Sequence, residues 1–264
     1  MSVAAGQDTI AAAFATSGKR AALMPYLMGG FPDLETSRAI GEACAEAGAD
    51  LVELGVPFSD PLADGPVIHA AGTAALAAGA TLHGVLEVAR ALTESVPVVL
   101  MCYANLVLAR GAERFAEELA ERGVSGLIVP DLPIEEAGEV LRACDAAGVA
   151  LVPLVAPTTP DERLALIGRA ARGFVYTVAV TGTTGERQGL DDVVAAMLAR
   201  TKARTEVPVA LGFGIGTPAA AAAAADAGAD GVIVGSRLVR AAAESPEPPA
   251  AVRDLVAGFA AALR

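Results

Sequence analysis

Tryptophan is absent, and lysine and histidine are nearly so. The 264-residue chain has two of each: Lys19, Lys202, His69 and His83. Its three cysteines, Cys44, Cys102 and Cys144, lie far apart in apolar surroundings. This leaves no His/Cys/carboxylate cluster for a dedicated metal site. It also disfavours a disulfide framework and points to buried free thiols in a reducing cytoplasm. No apolar run reaches membrane-spanning length, because Gly, Pro and charges interrupt every stretch. The first twenty residues lack a basic start followed by an apolar segment, so no secretory signal is expected. Net charge is −12 without any Lys/Arg cluster, which argues against a nucleic-acid-binding face. A G-x-S-x-G nucleophile elbow is missing as well.

What is present is a recurring phrase. "EAGADLVELG" ends at Gly55, "ERGVSGLIVP" at Pro130, "AAGVALVPLV" at Val155 and "DAGADGVIVG" at Gly235. Each sets a glycine at a helix end, where it supplies a left-handed cap, and follows it with a short apolar run. Such a run, bounded by turns, reads as a strand buried on both faces. The segments 22–28, 96–103, 173–180 and 207–213 bring the number of strands to eight. Amphipathic stretches lie between them: Ile40, Ala43, Cys44 and Ala47 share one helical face, as do Phe115 and Leu119. Eight parallel strands alternating with helices predict a single (β/α)8 TIM barrel over residues 1–264, with an extra N-terminal helix at Thr9 to Thr16. An open doubly wound sheet is the alternative.

In such a barrel the chemistry sits at the C-terminal ends of the strands. Both lysines fall at the opposite end, so no Schiff base is expected with substrate or with pyridoxal phosphate. Glu53 ends the second strand amid Leu51, Val52, Leu54 and Val56, and Asp60 and Asp64 follow within one loop. A carboxyl group in apolar surroundings tends to keep its proton up to neutral pH, which suits a residue that both gives and accepts protons. A salt-bridged core acid is the plainer reading of Glu53, and turn capping that of the two aspartates. Gly212, Gly214 and Gly216 follow the seventh strand and Gly235-Ser236 the eighth, the usual phosphate site of this fold.

The stretch "ELGVPFSDPLADGPVI" resembles the signature of the tryptophan synthase α subunit family. So do "PDLPIEEA" at 130–137, "APTTPDERL" at 156–164, "GFGI" at 212–215 and "GVIVGS" at 231–236. The similarity runs from about Phe14 to the last helix. It implies a barrel that cleaves indole-3-glycerol phosphate to indole and glyceraldehyde 3-phosphate without a cofactor. It also implies a pyridoxal-phosphate β subunit as partner, in an α2β2 tetramer. By motif, Glu53 matches the family's general acid/base, Asp64 its second catalytic carboxylate and Tyr176 the tyrosine near the reacting centre. Gly185, Gly214, Gly235 and Ser236 match the phosphate cup, and Tyr26 and Phe213 the indole pocket. Asp60, Asn105, Asp131 and Pro133 match positions on or near the partner face. The loop after the sixth strand departs from the family pattern: it reads Gly182-Thr183-Thr184-Gly185, with Ala179 where serine is common. Three readings remain open at this point: an α subunit, a stand-alone lyase that releases free indole, and a non-catalytic barrel that serves a β subunit.

Overall fold

The computed structural model describes residues 6–178, 192–212 and 214–264. Among these described residues, nine parallel strands are interspersed with helices. The strands are β1 (Ala22–Met28), β2 (Val52–Gly55), β3 (Val98–Met101), β4 (Gly126–Ile128), β5 (Ala150–Val152), β6 (Leu154–Val155), β7 (Val175–Val178), β8 (Val209–Gly212) and β9 (Gly231–Val234). The helices are α1 (Gly6–Thr16), α2 (Leu34–Glu46), α3 (Pro66–Ala77), α4 (Leu82–Leu92), α5 (Ala104–Arg110), α6 (Ala112–Glu121), α7 (Gly138–Ala147), α8 (Asp161–Ala170), α9 (Asp192–Lys202), α10 (Pro218–Asp226), α11 (Ser236–Glu244) and α12 (Pro248–Ala262).

The strand order is β5-β4-β3-β2-β1-β9-β8-β7-β6. Its two ends, β5 and β6, are separated only by Pro153, so the sheet closes on itself. The expected eight-stranded barrel is therefore present, with its fifth strand split. Proline has no N–H to give to a ladder. The Pro153 carbonyl still accepts from the Tyr176 N–H at 2.9 Å, which keeps β7 attached across the break.

The four recurring glycines, Gly48, Gly123, Gly148 and Gly228, all have positive φ, between 74° and 100°. Each turns the chain out of a helix and into the next strand, as the repeat predicts. "AGAD" occurs twice, and both copies fasten the barrel floor. Asp50 accepts from Lys19 Nζ at 2.9 Å and from the Leu23 N–H at 2.7 Å. Asp230 accepts from Lys202 Nζ at 2.7 Å and from the Val209 N–H at 2.9 Å. Both lysines are thus committed at the end opposite the strand C-termini. Helix α1 begins at Gly6, earlier than the Thr9 start expected from the sequence. It packs so closely there that a Cβ on Gly6 would lie 2.0 Å from the Ser125 carbonyl oxygen. Ile10 of this helix is fully buried beneath the barrel.

Side chains alternate along each strand. Leu23, Leu27, Val52, Leu54, Val98, Leu100, Val209 and Leu211 pack outward against the helices. Met24, Tyr26, Met28, Leu51, Val99, Ile128, Phe174, Tyr176 and Ile233 fill the interior. This two-residue period sends Glu53, two positions after Leu51, into the barrel.

Candidate active site

Glu53 is 4% exposed. Among the described residues neither of its carboxylate oxygens has a hydrogen-bond partner. A buried, unpartnered carboxylate is expensive, so the group retains its proton. Burial, and secondarily the charge of Asp64, push its pKa from 4.5 up to about 8. The salt-bridged alternative for Glu53 is not what the structure contains.

Tyr26 on β1 is the register partner of Glu53 on β2. Glycines near the ends of β2 and β8 make room for aromatic rings. A Cβ on Gly55 would sit 2.2 Å from Tyr26 Oη, and one on Gly212 would sit 2.4 Å from Tyr176 Oη. Both phenols are held well above their usual pKa by burial. The charges of Asp64 and Glu53 add to this at Tyr26, and the charge of Glu53 at Tyr176. The two hydroxyls therefore stay protonated beside the acids. Gly55→Ala is expected to displace the Tyr26 ring, destabilise the fold by about 1–3 kcal/mol as overpacking does, and cut activity; thermal melting and a rate assay check both.

Asp64 comes from the loop between β2 and α3, immediately before the Gly65 cap of α3. Burial raises its pKa, while a hydrogen bond from Tyr103 and the proximity of His69 oppose the rise. Glu53, Asp64, Tyr26 and Tyr176 thus meet at one end of the barrel. His69 and His83 are exposed on helices. Among the described residues no group of three or more His, Cys, Asp or Glu side chains is placed to hold a metal ion.

Strands β8 and β9 pair in parallel, so the loops after them are neighbours. Gly235 caps α11 with no side-chain hydrogen bond, and Ser236 is its exposed first residue. The first-turn N–H groups of a helix favour an anion. Gly214 has φ 86° with open space around it. Gly235 lies against Tyr26: a Cβ there would be 3.4 Å from Tyr26 Cβ, so this end of α11 adjoins the carboxylates' chamber. Gly185, Phe213 and the Gly182–Gly185 loop lie outside the described residues.

Asp60, Asp131 and Pro133 are exposed on the loops after β2 and β4, and Asn105 is exposed in the first turn of α5, which follows β3. They share that rim with Leu62, 84% exposed, and Leu108, 59% exposed. Asp131 also has a structural role, accepting from the Ala104 N–H at the start of α5 at 2.8 Å.

Sequence reasoning missed two parts of the site. One is Tyr103, whose only signal is its place just beyond a strand end. The other is the apolar lining: Met101, Ile128, Val152, Leu154 and Val178 face inward near the mouth. A cleft of about 510 Å³ opens beside them, where the Pro153 break leaves β6 without a partner on the β4 side. It lies to one side of Glu53 and Asp64, neither of which lines it.

The sequence profile of the family described as Tryptophan synthase alpha chain matches residues 13–261. A tryptophan synthase alpha chain from Prochlorococcus marinus (strain MIT 9313) is 51% identical over 230 residues, which is 86% of this chain and 84% of that protein. One from Methanosarcina mazei is 47% identical over 222 residues, 84% of this chain and 81% of the relative. Among solved structures, Mycobacterium tuberculosis tryptophan synthase superposes with a TM-score of 0.88 at 39% identity, over 100% of this chain and 98% of the other. The Pyrococcus furiosus tryptophan synthase a2b2 complex, described in terms of mutual activation, gives 0.87 at 36% identity, over 91% and 98%.

Proposed function

The chain belongs to the tryptophan synthase alpha chain family, and from this we propose how its barrel mouth cleaves indole-3-glycerol phosphate to indole and glyceraldehyde 3-phosphate, the lyase step of an α subunit in tryptophan biosynthesis. The observation that carries the reading is Glu53: a carboxyl group buried without a partner, protonated up to about pH 8, within the field of a second acid, Asp64.

Cleavage requires two proton transfers. Indole C3 must gain a proton and the adjacent glycerol hydroxyl must lose one. Protonated Glu53 gives its proton to C3. Asp64 accepts the ring N–H and stabilises the positive charge that develops there. The C–C bond then breaks, its electron pair returns to the indole ring, and the hydroxyl becomes the aldehyde as its proton passes to Glu53. Glu53 ends as it began, and indole acts as the electron sink. No Schiff base or metal enters this scheme. Tyr176, a protonated phenol beside Glu53, orients the reacting centre. Tyr26 and Phe213, with the inward-facing Met101, Ile128 and Leu154, enclose the indole ring. The loops carrying Gly185, Gly214, Gly235 and Ser236 hold the phosphate.

The partner we infer is a β subunit in an α2β2 assembly. The support is the Pyrococcus furiosus relative, solved as an a2b2 complex, together with a rim that exposes Leu62 and Leu108 among Asp60, Asn105, Asp131 and Pro133. Among the described residues no single helix is long and apolar enough to cross a membrane, and Cys44, Cys102 and Cys144 are buried and free. We place the enzyme in the cytoplasm.

The deciding experiment is indole release from indole-3-glycerol phosphate, measured with and without a β subunit. Asp60→Ala is expected to weaken activation by the β subunit more than it weakens basal cleavage. Full activity alone, with no response to any β subunit, would instead identify a stand-alone lyase.

A further inference from the structure

We infer that Tyr103 is the positioning residue for Asp64, an inference that rests on the lyase reading of the barrel mouth. Tyr103 is the last residue before α5, buried and stacked against Phe58 with ring centroids 5.2 Å apart and planes at 24°. Its hydroxyl is used twice. It accepts the Ala63 N–H at 3.0 Å and donates to Asp64 Oδ1 at 3.0 Å. A phenol has a single proton, and an ionised carboxylate can only accept. The Ala63 N–H takes up acceptor capacity on the oxygen, so the proton is directed to Asp64.

One hydroxyl thereby grips two consecutive residues of a loop whose tip, Leu62, is exposed. It ties down Oδ1 and leaves Oδ2 for a donor on the substrate. Asp131 holds the backbone of the next residue, Ala104, at 2.8 Å, which anchors Tyr103 from the other side. The titratable groups facing Asp64 are Glu53 on β2, Tyr26 on β1, His69 on α3 and Tyr103 itself. Burial works against the Asp64 anion, while the Tyr103 bond and His69 favour it. Removing the Tyr103 bond therefore raises the Asp64 pKa.

Tyr103→Phe keeps the ring and its stacking and deletes only the hydroxyl. We expect kcat/KM for indole-3-glycerol phosphate to fall about tenfold, the scale of one lost hydrogen bond to a charged group. The acidic limb of its pH profile should move to higher pH. The carboxyl carbon of Asp64, assigned by its loss in Asp64→Asn, should titrate at higher pH in a carbon NMR experiment. Phe58→Leu, which loosens the stack but keeps the hydroxyl, should leave both midpoints in place. An unchanged acidic limb and an unchanged Asp64 titration in Tyr103→Phe would reduce Tyr103 to loop packing, as would an equal shift in Phe58→Leu. The NMR titration needs no turnover. A parent protein that released no indole would therefore overturn the lyase reading separately from this one.

Discussion

Glu53→Gln is expected to lower the rate of indole release by about 10³–10⁴-fold, the upper part of the range for a lost general acid/base, because one residue serves both proton transfers. Glutamine keeps the shape and the burial but cannot exchange the proton. The same change is expected to stabilise the fold, with a definite dependence on pH. The folded-state pKa of Glu53 is raised from 4.5 to about 8. Between those values the folded protein holds a proton that the unfolded chain has released. Stability therefore falls as pH rises through this window, at a rate set by the difference in bound protons. The substitution removes that loss, so the gain in thermal midpoint should be near zero at pH 4, grow towards pH 8 and then level off. A tenfold difference in proton affinity between the folded and unfolded chain corresponds to about 1.4 kcal/mol, so a gain of a few kcal/mol is the upper bound. In the parent enzyme the rate should decline above about pH 8, as the acid form disappears. A Glu53→Gln protein that cleaves at close to the parental rate would make Glu53 a structural acid and leave the mechanism without its centre.

Gly235→Asp is expected to raise KM by about three orders of magnitude with little loss of stability. Gly235 has φ −115°, outside the left-handed region, and its Cβ would stand 3.4 Å from Tyr26 Cβ. That is ordinary van der Waals contact, so Tyr26 need not move. The new carboxylate would lie where the N-terminus of α11 should meet the substrate phosphate. Two like charges about 4 Å apart at an effective dielectric constant of about 20 repel by about 4 kcal/mol, or about 10³-fold in affinity. Gly235→Ala adds the same Cβ without the charge, so its KM should stay within a few-fold of the parent's. Substrate titrations of the two variants, with melting curves beside them, separate charge from size. An unchanged KM in Gly235→Asp would place the phosphate elsewhere.

The barrel was legible because its signals are local. A glycine that must take positive φ at a helix end, followed by a short apolar run, marks a strand wherever it occurs, and the four copies ending in Gly55, Pro130, Val155 and Gly235 all do so. Glu53 was legible for a related reason: an acid inside such a run violates the pattern around it. The placement of both lysines followed from counting strands, and Asp50 and Asp230 hold them at the floor.

The sequence by itself thus determined the strand succession, the anomalous acid and the end of the barrel where chemistry could occur, since each depends on residues close together in the chain. Tertiary structure alone decided the rest. Pro153 reads as part of one strand, yet it splits that strand, because its missing N–H matters only once a neighbouring ladder is in place. Gly55 and Gly212 read as ordinary strand ends, but Tyr26 and Tyr176 arrive from other strands to occupy the space of their absent side chains. Tyr103 meets Asp64 from 39 residues away. Contacts of this kind arise from the pairing of neighbouring strands, which joins residues by register, and register leaves no mark in the sequence near either partner.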